Sequence, residues 1–84
     1  SITAEQYRND ITKYKLLISE DNEIVDLRNE IMKASKAQLD NGVITSSDYI
    51  REMNAADQAR QNLLLHQLQL IQTELDYNDY IAQP

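Results

Sequence analysis

This sequence predicts an all-α protein: a long antiparallel two-helix coiled-coil hairpin that packs with further helices, in an oligomer or in a parent α-barrel. Three observations predict it. The 84 residues include one Gly, one Pro and no Cys, Trp or Phe; Leu, Ile, Gln, Asn, Asp, Glu and Ala dominate, which is the vocabulary of long helices. The single glycine, Gly42, stands near the middle, between two stretches free of both glycine and proline. Apolar residues on either side of it recur at threes, fours and sevens, the spacing of a coiled-coil seam. Residues 1–84 read as one unit, with a helix over about 3–40, a turn over about 41–46 and a second helix over about 46–82.

The first helix has the parts of a start signal. Thr3 serves as N-cap and Gln6 as its capping-box partner, with Ile2 and Tyr7 spaced as a hydrophobic staple. Nothing breaks the helix before about Asp40, which makes a rod on the order of 55 Å at 1.5 Å per residue. Its apolar residues form two stripes. Tyr7, Ile11, Tyr14, Ile18, Val25, Met32 and Leu39 make one seam, interrupted by the polar residues Asp21, Arg28 and Ser35. Leu17, Ile24, Leu27, Ile31 and Ala34 make a second, a quarter-turn or more around the helix.

In the turn, Gly42 reads as the residue that ends the first helix in the left-handed conformation, which it reaches without a Cβ clash. Thr45 and Asp48 then form a second capping box. The following helix repeats the two-stripe design. Tyr49, Ala56, Leu63, Leu70 and Tyr77 recur every seventh residue, beside a parallel stripe of Ile50, Met53, Leu64, Leu68, Ile71 and Leu75. Sustained seven-residue spacing implies left-handed supercoiling.

The doubling of stripes carries the most information. A partner arm covers one stripe and leaves Leu17, Ile24, Ile31 or their opposite numbers in water, a larger apolar patch than soluble monomers usually expose. The natural unit is therefore several hairpins side by side, most simply a dimer forming a four-helix bundle when the chain is alone. The helix-packing positions singled out are Leu17, Ile24, Ile31, Leu63 and Leu70. On the second arm Gln58, Gln61, Asn62, Gln67, Gln69 and Gln72 form a neutral polar surface. It reads either as a solvated outer face or as the lining of a shared aqueous channel.

Charge and composition exclude several functions. A net charge of −6, with only Arg51 and Arg60 as cations on the second arm, argues against a nucleic-acid surface and against docking on anionic lipid. No apolar run approaches the roughly 20 residues of a membrane span, so no direct membrane insertion by this segment is expected. No secretory-leader pattern is present. Without cysteine the redox compartment stays open.

No catalytic residue and no cofactor is expected, because no nucleophile, base and orienting group can be assembled and no glycine-rich loop exists to cradle phosphate. His66 has no second His or Cys at ligand spacing, so no metal site is expected there. Glu20, Asp21, Glu23, Asp26 and Glu30 lack the spacing of a calcium loop and are interleaved with Arg28, so they read as a solvated, partly ion-paired face. The five tyrosines lie mostly on seam positions, where packing accounts for them. The chain does not read as an enzyme.

The tip offers a different kind of site. Val43 and Ile44 are β-branched apolar residues at the end of a rod. Val43 can fold back on Ala37, the contact that accompanies a glycine C-cap, whereas Ile44 has no evident partner. The tip residues Gly42, Val43, Ile44 and Thr45 are thus a candidate docking surface.

The stretch LDNGVITSSDYIREMNAADQARQNLLLHQLQL resembles the tip and descending helix of outer-membrane efflux channels of the TolC family. The shared features are, in order, Leu39, Asp40 and Gly42 at the helix end, the apolar and Ser/Thr turn from Val43 to Ser47, Asp48, the pair Tyr49-Ile50, and the step from Ala59 to Leu63. The match covers about half the chain; the first arm agrees in length and in its two stripes. What the resemblance implies is a trimer whose coiled-coil hairpins pack around a periplasmic cylinder continuous with an outer-membrane β-barrel. This chain would be one hairpin of that cylinder, the one nearest the C-terminus, in the periplasmic portion of a Gram-negative outer-membrane protein. Gly42, Val43, Ile44 and Thr45 would meet a membrane-fusion adaptor protein, and Asp48 would face the channel constriction. The chain departs from the family at Leu39, where many members have Tyr, and at Arg51, where some have a second Asp. The resemblance therefore carries over neither a tyrosine latch nor a doubled acid ring. Other two-helix classes fit less well: secreted Trp-x-Gly hairpin proteins carry a turn tryptophan, and secretion-needle subunits a proline-rich turn. The alternative is an antiparallel coiled-coil scaffold, or a secreted helical-hairpin protein, mediating protein–protein assembly.

Overall fold

The computed structural model describes residues 1–84 and contains two helices, α1 (Ala4–Asp40) and α2 (Ser46–Ile81), folded back on one another. Both starts are capping boxes. The backbone N–H of Gln6 donates to the Thr3 hydroxyl (3.3 Å) and Gln6 Oε1 accepts from the Thr3 N–H (2.7 Å). Thr45 and Asp48 repeat the arrangement at 3.1 and 3.0 Å. Each box satisfies two of the backbone donors that a helix start leaves without partners. Tyr7, spaced as the staple partner of Ile2, packs across the hairpin. Ile2 is 52 % exposed, and the Tyr7 ring lies 5.8 Å from that of Tyr77 and 5.3 Å from that of Tyr80.

Helix α1 ends in a Schellman motif. The Val43 N–H donates to the Gln38 carbonyl (2.8 Å) and the Gly42 N–H to that of Leu39 (3.1 Å), with Gly42 at φ 72°, so that late carbonyls of the helix find partners. The Asn41 side chain caps a further carbonyl, donating to Ala37 at 2.8 Å. From there the chain needs only Val43, Ile44 and Thr45 to start α2.

The arms meet along the seam that carries the polar interruptions. Tyr7, Ile11, Tyr14, Ile18, Asp21, Val25, Arg28, Ile31, Met32, Ser35 and Leu39 of α1 are buried or half-buried. So are Tyr49, Glu52, Ala56, Ala59, Leu63, His66, Leu70, Thr73 and Tyr77 of α2. Alternating steps of three and four keep one face of each supercoiled helix on its partner. Burial is nonetheless thin: only Asp21, Ser35, Ala56 and Ala59 are fully buried, and no large side chain is. The outline is a rod of 66 × 16 × 15 Å with a radius of gyration of 18.7 Å, against roughly 12 Å for a compact domain of this length. Neither helix is long and apolar enough to cross a membrane.

Candidate functional site

The tip is built by the two caps. Because the Schellman motif and the second capping box lie so close together, the intervening side chains have little freedom to choose a direction. Val43 points into solvent at 69 % exposure, so the contact expected with Ala37 does not shield it. Ile44 is half-buried instead. It lines a hollow of about 340 Å³ together with Ile31, Ala34, Gln38, Asp48 and Arg51. The apolar tip thus divides into one free side chain, Val43, and one turned back against the arms. Gly42 and Thr45 are exposed and serve the turn itself.

Asp48, a candidate for a channel constriction, is engaged on both carboxylate oxygens. Oδ2 accepts from the Thr45 backbone N–H at 3.0 Å, and Oδ1 lies 3.3 Å from Nη2 of Arg51. The Thr45 N–H, chiefly, holds this carboxyl below its ordinary range, with the Thr45 hydroxyl and the Arg51 charge acting in the same direction. The side chain keeps 45 % exposure, so it remains open to water and cations from one side.

Among the helix-packing residues, Leu63 and Leu70 sit half-buried in the inner seam. Leu17 and Ile31 are half-buried at its margin, while Ile24 is 47 % and Leu27 58 % exposed. On α2 the second stripe is open along its length: Ile50, Met53, Leu64, Leu68, Ile71 and Leu75 are all exposed. The two stripes lie on different sides of the rod. Ile31 and Ala34 share the hollow with Asp48 and Arg51, whereas the opposite margin joins Arg60 to Asn29 at 2.9 Å. At ~100° per residue, Met53 and Leu64 follow the side of Arg60. Of the amides, only Gln69 is half-buried; Gln58 donates to Asn62 at 3.1 Å and Gln72 to Asp76 at 2.9 Å along an otherwise solvated surface.

The seam also holds a polar pair that the residue pattern did not announce. His66 Nδ1 lies 2.5 Å from Oδ2 of Asp21, with the Tyr14 ring 6.5 Å from the imidazole. Asp21 takes the place in the inner seam that the spacing gave it as a polar gap, and is buried there. A signal for it exists in the sequence: Asp21 and His66 both occupy seam positions and lie equally far from the turn's centre, so an antiparallel pair must bring them together. Nearby, Arg28 and Glu52 approach at 3.4 Å. No cluster of three or more His, Cys, Asp or Glu side chains could hold a metal ion. No protein family, curated protein or solved structure matches this chain.

Proposed function

We propose that this hairpin is a structural element of a trimeric outer-membrane efflux channel of the TolC type, a non-catalytic part of its periplasmic α-helical cylinder, with its tip docking a membrane-fusion adaptor. The observation that carries the reading is the pair of uncovered apolar stripes on different sides of the rod. One neighbour in a two-fold dimer covers one kind of stripe and leaves the other in water. A row in which the α1 stripe of each hairpin meets the α2 stripe of the next covers both, and such head-to-tail contacts make a ring when the rotation between neighbours divides a full turn. A cylinder wall needs that arrangement. The tip sequence from Leu39 to Tyr49 adds the resemblance to this particular family, and the amide surface of α2 suits an aqueous lining.

The docking contact is assigned to Val43, with Ile44 shaping the turn beneath it. In the channel protein, Val43→Asp should abolish efflux while trimer formation and membrane level stay normal, because a carboxylate desolvated in an apolar contact costs several kcal/mol without a partner. Drug resistance at the wild-type level in Val43→Asp cells would remove the tip from the docking surface. A second reading, an antiparallel scaffold assembling with other proteins, is favoured by Asp48, whose two oxygens are both used in local bonds.

A further inference from the structure

We propose that the Asp21–His66 pair is a sorting mark, which directs the inner seam of α1 to the inner seam of α2 and leaves the unmarked apolar stripes for second copies of the chain. The assignment of those stripes to second copies rests on the assembly proposed above; the mark acts within one hairpin.

Each helix presents two candidate surfaces to its partner arm, and apolar burial does not choose between them. The inner seam combines half-buried apolar residues such as Ile18, Val25, Met32, Leu63 and Leu70 with the polar residues Asp21, Arg28, Ser35, Glu52 and His66. The outer stripes carry Leu17, Ile24, Leu27 and Ile31 on one arm and Ile50, Met53, Leu64 and Leu68 on the other, interrupted by Glu20, Asp57 and Arg60. Both surfaces are mixed, and hydrophobicity alone does not separate them. The turn orients the arms near the tip, whereas Asp21 and His66 lie about 30 Å from it at 1.5 Å per residue and mark the pairing along the arms.

The polar pair does discriminate. In the observed seam the His66 imidazole donates to a carboxylate that is only 8 % exposed. If α2 rolled to present Leu64 and Leu68, Asp21 would be buried against leucine without a donor. If α1 rolled to present Leu17 and Ile24, His66 would lose its acceptor. A buried polar pair adds little stability over an apolar pair of similar volume, but removing one partner and leaving the other unsatisfied is strongly unfavourable. Its effect is to penalise wrong pairings, as single polar seam residues do in other coiled coils.

The test compares the wild-type chain with Asp21→Leu/His66→Leu and with the exchanged pair Asp21→His/His66→Asp. Backbone amide NMR counts the arm pairings, and sedimentation velocity measures assembly. The leucine variant is expected to melt at or above the wild-type temperature while showing a second set of amide resonances, populated beyond about 10 %. The exchanged variant is expected to keep one set, because the pair survives with its members swapped. One set of resonances in the leucine variant overturns the proposal, as does its failure to fold, which would make the pair a requirement of the fold instead. Sedimentation reads the assembly separately: a monomeric wild type counts against the channel reading, while the number of resonance sets still decides whether the pair sorts the arms.

Discussion

Gly42 owes its place to one torsion angle. Its φ of 72° lies where side chains are strained, yet the space a Cβ would enter is open, so backbone strain alone sets the cost of replacing it. Gly42→Ala should lower stability by about 1 kcal/mol, a β-branched residue by more, and Asn by least. Urea denaturation of the three variants checks the order; an unchanged midpoint for Gly42→Val would place the strain elsewhere. Asp48 makes the same turn sensitive to acid. Its carboxyl is held below the ordinary range in the folded chain, so the cap's contribution is fully present above the unfolded value near pH 4. It is lost as pH falls through the lower folded value. Acid titration of helicity should show this loss in the wild type and not in Asp48→Asn; matching titrations in both proteins would assign the acid response to other carboxylates.

Each helix is bifacial, and its two stripes differ in what they do. Inner-seam leucines such as Leu63 hold the arms together, so Leu63→Asp should splay them through an unpaired carboxylate in the interface. Ile24 and Leu27 already face water in the single hairpin. Replacing both by Gln should leave the helical signal and the turn intact while weakening self-association by tenfold or more, given about 25 cal/mol per Å² of apolar surface no longer buried. Sedimentation equilibrium is the measurement. Wild-type association in Ile24→Gln/Leu27→Gln would show that the α1 stripe is not an interface.

A rod 66 Å long with four buried residues has little interior of its own. Its helices are long enough to form, but most helical stability in proteins comes from packing of an apolar face. In the assembly proposed above, much of that packing comes from other copies. The melting temperature should therefore rise with chain concentration, since association favours the folded state by mass action. A constant melting temperature from about 1 to about 100 µM would mean that one hairpin is stable by itself, contrary to a role in a packed wall.

Local signals were legible in the residues alone because their partners lie within a few positions. Thr3 with Gln6, Thr45 with Asp48, and Gly42 after the last turn of α1 each close a short loop of backbone hydrogen bonds. Seven-residue periodicity likewise announced two stripes on each arm. Which stripe faces inward depends on how each rod rolls about its axis, and that is settled by contacts dozens of residues apart. Asp21 read both as a polar gap in the seam and as part of an acidic surface, and His66 as solitary, until the arms were laid together. At the tip, sequence placed two apolar residues in the turn; the fixed backbone between two caps then sent Val43 outward and Ile44 back against α1. Patterning determined two bifacial helices and a turn, and long-range packing chose the seam, because the polar residues that meet across it, Asp21 with His66 and Arg28 with Glu52, lie far apart in sequence.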